Sequence, residues 1–162
     1  MDLAKMLRVQ KRYDKQINKW NNRKTKIALI VELYEMLNEF PSYFKYWSDQ
    51  KDNKEKGLEE WSDCLHCAMS LAAHDSTFCK SFIPQYDKCT KEDPTTLILD
   101  LTKVILSDYD TEYLIGELIF IGRNLGFNEK QMEKAFYEKL KKNCQRFNVN
   151  YEKLFVGEKN VL

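Results

Sequence analysis

The sequence predicts an all-α fold, a compact helical bundle of about five to seven helices, because apolar side chains recur at three- and four-residue spacing along most of it. Two further observations agree. Only 5 Gly and 3 Pro interrupt the 162 residues, and Pro41, Pro94, Gly126 and Asn128 stand where helices stop or start. Hydrophobic residues make up 43% and charged residues 31%, outside the low-hydrophobicity composition of disordered chains. The length predicts one domain, residues 1–162, with a single core.

The first helix is predicted from Asp2 to Ile17, with Leu3, Met6, Leu7, Gln10, Tyr13 and Ile17 on one side. A second runs from Lys24 to Glu39, where ALIVELYEML is too apolar for a surface helix and is expected at the centre of the core. Pro41 ends it, since the residue before a proline is biased away from helical geometry. PSYFKYWSDQKDNKEKG then reads as a loop, aromatic at its start and charged at its end. A third helix spans Leu58 to Ala73, followed by a polar stretch, His74 to Asp93, to which no structure is assigned. Asp93 caps a helix over Pro94–Leu106, proline suiting a first turn. Asp110 or Thr111 caps the next, which ends at Gly126. Asn128 and Gln131 form a capping box for the last helix, Glu129 to Phe147. The tail from Asn148 is expected to be a loop or frayed end.

Lys and Arg total 26 against 25 Asp and Glu, a net charge of +1. That balance argues against direct binding of duplex nucleic acid, which needs a basic excess or stripe. No apolar run approaches the roughly 20 residues of a membrane helix, and MDLAKMLRVQKRYDK lacks a signal-peptide core. The chain is therefore read as soluble and cytoplasmic, without a membrane partner. Cys64, Cys67, Cys79, Cys89 and Cys144 are an odd set and are expected to be free thiols. Cys64 and Cys67 form C-x-x-C, but on a helix and without a second such pair, so buried thiols are a better reading than zinc or redox chemistry.

Glu32 and Glu35 stand three apart on the second helix, and Glu60 and Asp63 do the same on the third, so each pair projects from one face. The flanking residues are apolar: Ile30, Val31, Leu33 and Leu37 around the first, Trp61, Leu65 and Met69 around the second. A helical hairpin would bring the pairs face to face. Carboxylates so placed repel by about 3 kcal/mol per pair at about 5 Å and an effective dielectric of about 20. A divalent cation among them relieves this, and all-oxygen ligands favour Mg²⁺ or Mn²⁺ over zinc. The expected chemistry is metal-assisted attack on a phosphoryl group. The plain alternative is a helical interaction protein whose E-x-x-E and E-x-x-D pairs are solvated or matched by lysines.

The run ALIVELYEMLNE, then FKYW, then LEEWSDCLH resembles the all-α dimeric dUTPases, part of a superfamily of nucleoside triphosphate pyrophosphatases that includes MazG-type enzymes. The resemblance implies that Glu32, Glu35, Glu60 and Asp63 hold the metal, that Gln10 belongs to a nucleoside-contacting first motif, and that Lys139, Asn143 and Arg146, a K-x-x-x-N-x-x-R pattern, bind the triphosphate. It implies a homodimer with active sites near the interface. The implied reaction is Mg²⁺-dependent hydrolysis of dUTP, and of dUDP in some members, which limits uracil incorporation into DNA. Glu35 would orient and deprotonate the attacking water. Phe147 follows the arginine where the family often has glutamine, the close reads Asn150, Tyr151 rather than Gly-Tyr, and Asp14 stands where some members have asparagine. A dCTP-preferring or MazG-like pyrophosphatase stays open as the alternative enzyme.

Lys45, Trp47 and Lys51 follow the second helix, where a loop can bring ammonium groups to phosphates and an indole to a base. Their ordinary reading is a loop aromatic beside solvated lysines; with the resemblance, Lys45 and Trp47 become substrate-binding candidates. His66 lies three residues after Asp63 and is a candidate nucleoside contact; a lone histidine on an apolar helix is more often a satisfied core residue. With Gln10 and Trp47 it is expected to discriminate uracil, since a site built to hydrogen-bond one base edge rejects another strongly.

Overall fold

The computed structural model describes residues 1–78, 83, 91–107 and 110–157. Its helices are α1 (Leu3–Ile17), α2 (Asn22–Asn38), α3 (Lys54–Ala73), α4 (Pro94–Leu106), α5 (Thr111–Asn124) and α6 (Glu129–Arg146), with short 3-10 turns at Pro41–Tyr43 and Glu152–Phe155. Among the described residues there is no strand, in line with the predicted all-α class.

The helix ends follow their capping chemistry. Asp2, Asn21, Asn53, Asp93 and Asn128 each accept a backbone N–H from the first turn of the helix they open, which satisfies donors that have no intrahelical partner. The Asn128–Gln131 capping box closes in both directions at 2.9 Å. Gly126, just past α5, takes φ +92°, a left-handed conformation that glycine adopts without strain.

The centre of the bundle is α3, packed by α1, α2, α5 and α6, while α4 lies against α5 and α2. This corrects the expectation that the second helix would be central. α3 buries Trp61, Leu65, Ala68 and Met69 along one side and Cys64, Leu71 and Ala72 along the rest, whereas α2 buries only Leu29, Leu33 and Met36. The apolar excess of α2 faces outward instead: Ile27, Val31 and Tyr34 are 54%, 49% and 40% exposed. Apolar composition shows that a face will be covered, but not by what.

Two boundaries also differ. α3 begins at Lys54 rather than Leu58, because Asn53 caps it and Gly57 lets the helix press on Phe40, whose ring lies 2.3 Å from where a Cβ would stand. The charged KEKG run is thus the first turn of a helix, not the end of a loop. The tail is ordered against the bundle over its described residues, 148–157: Leu154 is fully buried and its carbonyl accepts Arg12 Nη1 at 2.7 Å, while Phe155 packs on Tyr137 and Tyr151. Cys64 and Cys144 are buried and Cys67 half-buried, all as free thiols, whereas Cys79, Cys89 and most of the polar stretch before Asp93 lie outside the described residues. No described helix is long and apolar enough to cross a membrane.

Candidate active site

Trp61 explains why the carboxylates on α3 are held still. Its indole is fully buried, so its N–H must find a partner inside the protein, and it donates to the Leu118 carbonyl at 2.7 Å. Gly122 makes room: a Cβ there would lie 2.6 Å from Met132 Sδ and 2.8 Å from Trp61 Nε1. With one side of α3 locked to α5, Glu60 and Asp63, which flank Trp61 in sequence and project from the opposite side, are fixed in turn.

Against them α2 sets Glu32. One carboxylate oxygen from each of Glu32, Glu60 and Asp63 lies within 4.8 Å of the others. Glu35, one turn along α2, is exposed at the border of this trio and lines with Glu60 an open cleft of about 760 Å³ whose other walls are Ile30, Val31, Tyr34, Asn38, Glu39 and Lys56. The structure therefore joins three of the four predicted metal ligands tightly and leaves Glu35 between the cluster and the cleft.

The electrostatics show a cluster short of positive charge. Burial, then the charges of Asp63, Glu35 and Glu60, push Glu32 up to about 7. Burial also raises Glu60 and Asp63 above the usual carboxylate range, although Lys139 pulls both down. Lys139 Nζ sits 2.5 Å from Asp63 Oδ2 and 3.4 Å from Glu59 Oε1. Burial works against the ammonium charge, but Asp63 and Glu59 outweigh it and hold Lys139 above the usual lysine range. A half-buried carboxylate group that raises its own proton affinity and draws in a lysine has the donor chemistry of a hard divalent cation site, all oxygen and no sulfur or imidazole.

The remaining predicted residues divide. His66 and Gln10 are brought together in the core: His66 Nδ1 lies 2.8 Å from Gln10 Oε1, and Nε2 lies 3.0 Å from the Phe136 carbonyl, with the imidazole stacked on the Phe136 ring at a centroid distance of 4.1 Å. Burial pushes His66 down to about 4. Lys45 reaches Asn38 Oδ1 at 3.4 Å and so stands at the rim of the cleft. Trp47 is 67% exposed and packs edge-on against Tyr46. Asn143 and Arg146 follow Lys139 on the next turns of α6, with Arg146 over the Phe147 ring.

Sequence reasoning missed Glu59, which binds Lys142 at 2.9 Å as well as Lys139 and is held below the usual glutamate range chiefly by Lys142. Its signal was present: Glu59 is four residues before Asp63, the spacing of one helical face, and Lys139 and Lys142 are three apart. It noted Asp14 only as a departure from the family pattern and missed Ser70, whose hydroxyl donates to Asp14 at 2.7 Å beside Gln10.

The all-helical fold and the cluster of carboxylates on two adjacent helices point to a class, the all-helical hydrolases of phosphoanhydride bonds. A sequence model of the family described as dUTPase matches residues 2–151, and the chain belongs to that family, in its all-α form. It is accordingly a nucleoside triphosphate pyrophosphohydrolase with dUTP diphosphatase activity. No curated protein matches the chain.

Proposed function

We propose that this chain hydrolyses dUTP to dUMP and pyrophosphate at the Glu32–Glu60–Asp63 cluster, with Glu35 as the catalytic base and Mg²⁺, or Mn²⁺ in its place, as the cofactor. The observation that carries this is the 4.8 Å gathering of three partly buried carboxylates from α2 and α3. Glu32, Glu60 and Asp63 are the residues that would hold the cation, with Glu35 beside them. A divalent ion bound there supplies electrostatic stabilisation of the phosphate charge and makes a nearby water easier to deprotonate.

The chain's own residues do the rest. Glu35 is exposed to the cleft and lies near other carboxylates, which supports its proposed role as the acceptor of a proton from water in the cleft. Lys139, now on Asp63, exchanges that partner for phosphate oxygens, leaving Glu59 to hold Lys142. Arg146 extends the cationic track along α6, with Asn143 adding a neutral hydrogen-bond donor between, and Lys45 brings an ammonium group from beside Asn38. Arg146 can hold two phosphate oxygens at once. Gln10, His66 and Trp47 are the groups proposed to read the base, Trp47 by closing onto it from the loop and the buried Gln10–His66 pair by exchanging one of its internal hydrogen bonds for the base edge.

The protein is proposed to work as a homodimer. Ile27, Val31 and Tyr34 recur at i, i+4 and i+7 on α2, exposed, and Val31 and Tyr34 also line the cleft beside Glu35. A second copy laid on this stripe buries it and closes the open side of the cleft. Val31→Glu is expected to shift sedimentation from dimer to monomer; a wild-type monomer at micromolar concentration overturns this part. The cytoplasm is the proposed location.

Pyrophosphate release from dUTP, dCTP, dTTP and dUDP, with and without Mg²⁺, tests the central reading. Turnover of dUTP well above the others and only with the ion is expected. A preference for dCTP or for noncanonical nucleotides would move the chain to the alternative specificity, and metal-independent turnover would remove the cluster's role.

A further inference from the structure

A run of hydrogen bonds crosses the core from α6 through α3 to α1. The Phe136 carbonyl faces His66 Nε2 at 3.0 Å, His66 Nδ1 faces Gln10 Oε1 at 2.8 Å, Gln10 Nε2 donates to Asp14 Oδ1 at 2.7 Å, and Ser70 Oγ donates to Asp14 Oδ2 at 2.7 Å. All four side chains are buried, none more than 8% exposed.

Counting donors exposes a shortage. A carbonyl only accepts, so the single N–H of a neutral imidazole is committed to Phe136. The two contacts that remain, His66 to Gln10 and Gln10 to Asp14, each need a donor, and the amide has one donor end and one acceptor end. Neither a bare Nδ1 nor a carboxylate can supply the other. A buried acceptor facing an acceptor costs its full desolvation penalty with no return.

We infer that the His66–Gln10–Asp14 chain holds one titratable proton more than a neutral imidazole and a carboxylate, making Asp14 and Ser70 positioning residues that fix the Gln10 amide and the His66 ring. With the amide as it stands, the proton is on His66; with the amide reversed, it is on Asp14. Both forms are net neutral. Losing the proton would bury a net negative charge and leave two acceptors opposed.

Of the two forms, burial favours the one with a neutral His66, a reversed Gln10 amide and the proton on Asp14. Burial raises Asp14 above the usual aspartate range and lowers His66, each against its charged form. The neighbouring titratable groups are Tyr13 on α1, Cys67 on α3, Lys139 on α6 and His74 just past α3. Lys139 is engaged by Asp63, and His74 Nδ1 lies 3.9 Å from Asp14 Oδ2 while its ring stacks on Trp20. Where Gln10 and His66 are taken as base-reading groups the inference deepens the proposed function, but the proton count itself is independent of it.

The test is thermal and denaturant unfolding of the full chain against pH, without nucleotide, for wild type, Asp14→Asn and His74→Asn. On this inference the folded chain must hold its proton to a higher pH than an unfolded histidine, whose ordinary value is 6.5, the opposed acceptors left by its loss supplying the difference. Its stabilisation is therefore fully present below that pH and lost as pH rises through the folded value. The wild-type unfolding constant should rise up to about tenfold per pH unit more steeply than that of Asp14→Asn. In that variant the introduced amide donates to Gln10, Gln10 donates to His66, and Ser70 still has an oxygen to donate to, so no contact needs a titratable proton. His74→Asn should keep the wild-type slope. Equal slopes for wild type and Asp14→Asn, or a slope lost only in His74→Asn, overturn the inference.

Should Asp14→Asn fail to fold, NMR of the wild type decides. The His66 ring nitrogens and the Asp14 carboxyl carbon are expected to shift in one shared step above about pH 6.5; Asp14 titrating alone below about pH 5, with His66 silent, overturns it. Unfolding slopes as expected in a chain that does not turn over dUTP leave the inference intact and remove the function; turnover with equal slopes does the reverse.

Discussion

α3 carries two faces with opposite demands. One packs Trp61, Leu65 and Met69 against α5 and its neighbours with no exposure; the other holds Glu59, Glu60 and Asp63 half in water, close to Glu32 and Lys139. The first face stabilises by burial and close packing. The second is a liability in isolation, a set of like charges that the fold tolerates because the packed face leaves it nowhere to go. Preorganisation of a reactive group is thus supplied by residues that never meet the substrate.

The two faces separate most sharply at Glu35, across the cleft from α3. Glu35→Gln is expected to lower dUTP turnover by about 10²–10⁴-fold, the range for loss of a general base, with circular dichroism unchanged and metal-free melting unchanged or raised, because losing one charge from the cluster relieves repulsion of Glu32, Glu60 and Asp63. Comparable turnover by the variant would take the base role away from Glu35.

Changes on the packed face should do the reverse. Trp61→Ala is expected to cost about 3–5 kcal/mol of stability through the cavity and the orphaned Leu118 carbonyl, read by urea unfolding. Gly122→Ala forces its new methyl against Met132 and the indole, at about 1–3 kcal/mol for overpacking. Both should keep dUTP as the preferred substrate while folded. A specificity change without a stability change would mean that this face has a direct part in recognition.

Much of this division was legible in the sequence, and the limits are physical. The four acidic positions were readable because helical spacing converts E-x-x-E and E-x-x-D into faces, and the caps at Asp93 and Asn128 because short polar side chains at those places have one job. The central position of α3 was not readable, since the apolar stretch of α2 is larger yet divided between core and surface. Nor was the Asp14–Gln10–His66 run: its members are spread over α1 and α3, and only the packing of those helices reveals that they share hydrogen bonds. Glu59 was masked by Glu60, an equally acidic neighbour that points elsewhere.

Lys139 joins the two faces of the comparison, since it comes from a core-packed helix and ends on Asp63. Lys139→Met keeps the stem and removes the charge, leaving Asp63 without its ion pair. Melting of the metal-free variant should fall modestly, and Mg²⁺ should raise it by more than it raises the wild type, because the ion then has no ammonium to displace. KM for dUTP should rise more than kcat falls if the ammonium binds ground-state phosphate. Equal Mg²⁺ effects on both proteins would show that Lys139 does not compete with the cation.

The smallest expected effect is the pH response of the metal-free cluster. Glu32 is pushed up to about 7 from the ordinary 4.5, so the folded chain binds a proton there that the unfolded chain has released. Its contribution to stability is full below about pH 4.5, shrinks as pH rises toward 7, and is gone above it. Mg²⁺ competes with that proton, so its affinity, followed by calorimetry, should increase across the same interval and level off above it, with proton release on binding that fades over the same range. Glu32→Gln should flatten the stability profile between those limits even though it also weakens the ion. A variant that bound Mg²⁺ weakly but kept the wild-type profile would place the raised proton affinity on Glu60 or Asp63, whose carboxyls share the same burial and the same crowding by negative charge.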